Sequence, residues 1–122
     1  VIVANENASD TLFSLGAAIS GGFGNLCEGY LGDAATGLYK PAKVARFDVK
    51  NPHGVNPAGI ILAAAKMLEY SFDKTKEKTA VENAVEEVIS QNFVTPDMKN
   101  GRDETQKAIS TEEFTDEVIK RL

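Results

Sequence analysis

Cysteine, histidine and tryptophan are nearly missing from this chain: one Cys, one His and no Trp in 122 residues. A single thiol cannot close an internal disulfide, and it is not a zinc site either. Cys27 is accordingly expected as a small buried hydrophobe. No apolar run approaches the roughly 18 residues that a membrane-spanning helix requires. A basic excess is missing too. The formal charge is −5, and after residue 60 nine Lys and Arg stand against 13 Asp and Glu, the reverse of the electropositive face that nucleic acid demands. There is no G-x-G-x-x-G and no P-loop lysine. The glycines of "SGGFG" follow a helical pattern instead of opening one, so they read as a turn and not as a phosphate cradle.

What is present is ordinary globular composition, 43% hydrophobic and 25% charged, in a length that suits one domain or a piece of a larger one. The opening "VIVA" is a continuous β-branched and apolar run, which predicts a buried strand over Val1–Ala4. A chain that opens inside such a run is expected to have sequence before it. "NENAS" reads as a polar loop. From Asp10 the spacing of Leu12, Leu15, Ala18 and Ile19 predicts a short, largely buried helix, with Ser9 or Asp10 as its cap and Gly21–Gly22 as its left-handed stop. Residues 23–50, glycine-rich with short apolar fragments, suggest two short strands or extended pieces joined by turns.

After "NPHGVNP" the pattern becomes helical. "AGIILAAAKMLEYSF" is apolar on nearly every face and predicts a central buried helix. A second helix, about Lys76–Gln91, places Ala80, Val81, Ala84, Val85, Val88 and Ile89 on one stripe. "FVTPDMKNGRDETQKA" is polar and turn-rich. In "STEE", Ser110 and Glu113 fit a capping box for a last helix, whose core spacing is Phe114, Val118, Ile119 and Leu122. The sum is an α/β chain of short strands and three or four helices, with a strand short of neighbours. Other protein chains, or upstream sequence, are expected to complete the sheet.

Three candidate positions follow from the residues alone. Asp10, a carboxylate at the mouth of an apolar helix, is either a helix cap or what remains of an acidic metal site. His53, between Pro52 and Gly54, has no Ser, Asp or second His at a catalytic spacing and reads as a surface turn. Lys40, Lys43, Arg46 and Lys50 form a local basic strip, read as a solvated loop or as a contact for an anionic ligand or acidic partner.

"LFSLGAAISGGFG", "NPAGIILAAAKMLEY", "ENAVEEVISQNFVTPDM" and "STEEFTDEVIKRL", in this order and spacing, resemble the C-terminal third of the isocitrate and isopropylmalate dehydrogenases. The ending "STEEFTDEVI" is most similar to isocitrate dehydrogenases, including mitochondrial NAD-dependent subunits. The resemblance implies a partial isopropylmalate-dehydrogenase-like α/β fold and a single incomplete domain over residues 1–122. Such enzymes oxidise a 2-hydroxy acid with NAD or NADP and decarboxylate it with a divalent metal.

The resemblance also implies what this stretch should carry. A pair of aspartates one turn apart would point two hard anionic oxygens at one Mg or Mn ion. Asp10 falls on the first position, as a vestigial metal ligand, and Ser14 on the second, where a neutral hydroxyl is a poorer donor. In the family's cofactor loop Lys40 takes the acidic position, Lys43 the histidine and Val44 the glycine. Arg46 and Phe47 fill the places of small residues and proline, and this bulk opposes close approach of a dinucleotide. Asn56 matches the position whose side chain meets the adenine ring, and so is the one cofactor-binding candidate, although an Asn before Pro also serves as a turn residue or helix cap. The family's substrate-handling tyrosine, lysine and arginine lie upstream, and no catalytic residue is assigned here.

These matches imply a catalytically degenerate, isocitrate-dehydrogenase-like subunit with a structural or regulatory role, with no cofactor expected. The implied setting is the mitochondrial matrix. Its implied partners are a catalytic dehydrogenase subunit or a large mitochondrial complex, without nucleic acid. The alternative is part of an active NAD(P)-dependent isocitrate dehydrogenase, using NAD or NADP and Mg or Mn to form 2-oxoglutarate.

Overall fold

The computed structural model describes residues 2–42, 52–99, 101 and 103–122, with Pro52 in its backbone alone. Val1 and the candidate positions Lys43, Val44, Arg46, Phe47 and Lys50 lie outside the described residues.

Asn5 opens the first helix. Its side-chain oxygen accepts the Ala8 N–H at 3.0 Å, satisfying one of the first-turn amides that have no partner within a helix, and α1 runs Glu6–Ile19. "NENAS" is thus largely first turn and not loop. The expected caps are displaced: Ser9 donates its hydroxyl to the Glu6 carbonyl, and Asp10 sits inside the helix. The helix ends as its sequence indicates, with Gly21 and Gly22 at φ +86° and +125° and the Gly22 N–H donating to the Ala17 carbonyl at 2.7 Å.

The expectation of a largely buried α1 fails. Only Ala17 is buried on it, and Ile19 is 88% exposed. The predicted strand over Val1–Ala4 fails likewise, since Ile2–Ala4 has no regular structure and Val3 is 94% exposed. The two failures have one cause. A β-branched run becomes a strand, and an apolar stripe becomes buried, only where another element covers it. Among the described residues, α1 packs chiefly on the 3-10 turn Phe23–Asn25.

The two strands expected in the glycine-rich region are present. β1 (Cys27–Leu31) and β2 (Gly37–Pro41) form an antiparallel hairpin in the register Cys27↔Pro41 through Leu31↔Gly37. Alternation sends Glu28, Tyr30, Leu38 and Lys40 to the outer face. The inner face meets α2 (Ala58–Phe72), where the Tyr39 and Ser71 hydroxyls hydrogen-bond at 3.0 Å.

α2 also packs on α3 (Thr75–Ser90), so it lies between hairpin and helix as a central element. Small residues make this possible: Ala58, Gly59, Ala63 and Ala65 are its buried positions. At Gly59 the approach is closest, because a Cβ there would lie 2.7 Å from the Leu26 carbonyl oxygen. The larger apolar residues of α2 are not all covered, and Ile60, Met67, Tyr70 and Phe72 remain exposed. No helix among the described residues is long and apolar enough to cross a membrane.

The main core joins α2, α3 and α4 (Thr111–Ile119). Ala58, Ala84, Val85, Val88, Phe114 and Val118 are buried together, with Ile61, Leu62, Ile89, Phe93 and Ile109 packed around them. The α3 stripe therefore faces inward as its spacing predicts, except that Ala80 is exposed. The capping box of α4 is present in both directions: the Glu113 N–H donates to Ser110 Oγ at 3.1 Å, and the Ser110 N–H donates to the Glu113 carboxylate at 2.7 Å. Phe114 and Val118 are core residues, but Ile119 and Leu122 are exposed, so the predicted stripe continues too far. The polar stretch between α3 and α4 holds a feature its composition conceals, a two-residue parallel pairing of β3 (Phe93–Val94) with β4 (Lys107–Ala108).

Four partly buried charges join α2 to α3. Lys66 reaches Glu69 at 3.4 Å and Glu82 at 3.0 Å, while Lys78 reaches Glu82 at 2.6 Å and Glu69 at 3.9 Å. Burial pushes the Glu82 carboxyl up, but hydrogen bonds from Lys78 and Lys66 outweigh it and leave Glu82 below its ordinary value.

Two outcomes are expected. Gly59→Ala should cost about 1–3 kcal/mol in denaturant unfolding, the usual penalty of forcing atoms into packed space, because the obstacle is backbone. A carboxylate depressed in the folded state stabilises above its unfolded value and stops doing so as pH falls through the folded value. Glu82→Gln should therefore lower stability near neutral pH and flatten the decline of stability with acid, as measured by thermal unfolding across pH.

Candidate functional site

α1 carries the carboxylate on which a metal site would depend. Asp10 and Ser14 stand one turn apart, both exposed, and share a face. Ser14 does not offer its hydroxyl outward, because Oγ donates to the Asp10 backbone carbonyl at 2.8 Å, a local bond typical of serine within helices. Among the described residues no three His, Cys, Asp or Glu side chains gather where they could hold a metal ion. The donor set at this turn is one carboxylate and one hydroxyl already engaged. By itself this turn offers a hard divalent ion one anionic side chain.

Lys40 is drawn to the outer hairpin face. Its ammonium lies 2.6 Å from Glu28 and 5.4 Å from the Tyr30 ring centre, and Tyr30 donates its hydroxyl to the same Glu28 oxygen at 2.8 Å. The hydrogen bond to Glu28 holds Lys40 above its ordinary value. The rest of the basic strip belongs to the residues not described.

Asn56 has become a joint. Its side-chain oxygen accepts the Ala58 N–H at 2.9 Å, capping α2. Its side-chain amide donates to the Asn25 side-chain oxygen Oδ1 at 2.7 Å, and its backbone N–H donates to Asp97 at 3.1 Å. Asp97 also accepts the hydroxyl of Thr95, which is fully buried, and donates its backbone N–H to the Gly54 carbonyl at 3.2 Å. Three remote segments thus meet at one point: the turn after α1, the entry to α2 and the turn after β3.

A cleft of about 180 Å³ opens beside this joint, its lining residues including Asn25, Asn56, Asn92, Thr95, Met98, Gln106 and Phe114. Next to it Gly24 packs tightly, since a Cβ there would meet the Asn56 amide nitrogen at 3.1 Å and Met98 sulfur at 3.2 Å. Asn25, Thr95, Asp97 and Met98 were not singled out from the sequence. The one signal for them is "TPD", in which a hydroxyl and a carboxylate flank a proline as turn residues do.

His53 is exposed in a 3-10 turn, as its sequence suggests, yet it has a partner 59 residues away: Nδ1 lies 2.7 Å from the Glu112 carboxylate. That hydrogen bond holds Glu112 below the usual carboxylate range. Beside it the Thr111 hydroxyl accepts the Val55 N–H at 3.1 Å and donates to the Val55 carbonyl at 2.7 Å. These bonds tie the entry of α2 to the start of α4. The turn after α1 packs its glycines on Asn25 and Met98. Cys27 is half-buried, and burial pushes its thiol up, away from the thiolate that reactivity needs.

Comparison with known proteins places this geometry. The family model described as isocitrate/isopropylmalate dehydrogenase matches residues 1–118. The chain belongs to the isocitrate/isopropylmalate dehydrogenase family. The 3-isopropylmalate dehydrogenase of Rhodopirellula baltica is 36% identical over 122 residues, covering 100% of this chain and 33% of the relative. That of Heyndrickxia coagulans is 36% identical over 124 residues, with 100% and 32% covered. In three dimensions the chain is similar to the isocitrate dehydrogenase of Methylococcus capsulatus, at a TM-score of 0.75 and 28% identity over 92% of this chain and 31% of the other. The α/β reading, as part of that dehydrogenase fold, therefore holds. The chain spans about a third of the length of the curated relatives it matches. Both branches of the family appear among these likenesses, so what they share is the family and not one substrate.

Asn56→Ala should cost about 1–3 kcal/mol, because it strands the Ala58 amide and the Asn25 side-chain oxygen that it now satisfies. A double-mutant cycle with Asn25→Ala, read by urea unfolding, should show coupling above about 0.5 kcal/mol.

Proposed function

We propose that this chain is part of a dehydrogenase-family subunit that keeps the family's framework without its divalent-metal site, and that serves a structural or regulatory role beside other protein chains. The observation that carries this reading is Ser14. It stands where the family resemblance calls for the second aspartate, one turn beyond Asp10, and it spends its hydroxyl on the helix backbone at 2.8 Å. A hard divalent ion without its second carboxylate loses an anionic ligand that a hydroxyl does not replace. The bulk of Val44, Arg46 and Phe47 in the cofactor loop supports the same reading from sequence, as an obstacle to the dinucleotide. Alongside these positions stand residues that build shape: Gly59 against Leu26, the Asn56 joint and the Ser110–Glu113 box. A catalytic dehydrogenase subunit is the proposed partner. A mitochondrial setting belongs to the proposal only through the likeness of "STEEFTDEVI".

A second reading is part of an active NAD(P)-dependent dehydrogenase. Identity of 36% along the whole chain with relatives named 3-isopropylmalate dehydrogenase favours it. Under this reading carboxylates from the rest of the protein would complete the metal site around Asp10.

Calorimetry with Mn²⁺ on the full-length protein separates the two. The first reading expects affinity no tighter than about 1 mM, roughly −4 kcal/mol, and no reduced nicotinamide absorbance from NAD or NADP with either isocitrate or 3-isopropylmalate. Ser14→Asp should tighten Mn²⁺ binding by about tenfold, about 1.4 kcal/mol. Micromolar Mn²⁺ binding by the unaltered protein, together with turnover of either acid, would overturn this proposal in favour of the second reading.

A further inference from the structure

We draw no further inference here: the strongest candidate, the apolar groove between the β1–β2 hairpin and the C-terminal half of α2, where Leu31, Met67, Tyr70 and Phe72 stand exposed around Tyr39, carries nothing because nothing in the structure shows what covers it.

Discussion

The close approach of α2 to the turn before β1 is the contact on which the rest of the chain is assembled. With glycine at position 59, the helix backbone lies directly against the Leu26 and Gly24 carbonyl oxygens. That contact fixes where the hairpin meets the helix. Ala63 and Ala65 continue the small-residue strategy along α2, which can then be covered on two sides, by strands and by α3. Close-packed interiors tolerate little added volume, so the chain is organised around what its central helix leaves out. Larger residues supply the core farther along, where Val85, Val88, Phe114 and Val118 fill the space between α3 and α4.

Around this frame, polar groups settle position more than they supply energy. The Lys66–Glu69–Lys78–Glu82 set crosses between α2 and α3, and partly buried charges gain from partners chiefly by avoiding the cost of having none. The Asn25–Asn56–Asp97–Thr95 series does similar work for three turns. A family position associated with nucleobase contact is thereby also a structural residue. Its presence alone is not evidence for a cofactor, because the fold has its own use for the amide.

The helices were legible because their signals are local. α3 lies within one residue of its predicted bounds, and α4 begins where the Ser110–Glu113 pair says it should. The hairpin was legible from glycines bracketing short apolar runs. Burial was not, because it depends on neighbours: Ile2, Val3, Leu15 and Ile19 have the residue types of a core and lie exposed. The start of α1 was misplaced because Asn5, Ser9 and Asp10 all suit a cap, and composition does not rank them. β3 and β4 were missed because two-residue parallel strands carry no periodicity to detect. At the candidate site, Asp10, Ser14 and Asn56 were singled out by resemblance. The joint was not, since Thr95 and Asp97 lie about forty residues from Asn56 and nothing local links them.

The same separation bears on how the molecule comes to its shape. The Asn56 bonds to Asn25 and Asp97 span 31 and 41 residues, so each requires a long loop to be closed before it returns any stabilisation. Helices α3 and α4, with their i to i−4 ladders, need no such investment in chain entropy. The cleft beside Asn56 therefore depends on parts of the polypeptide that are far apart in sequence being held together.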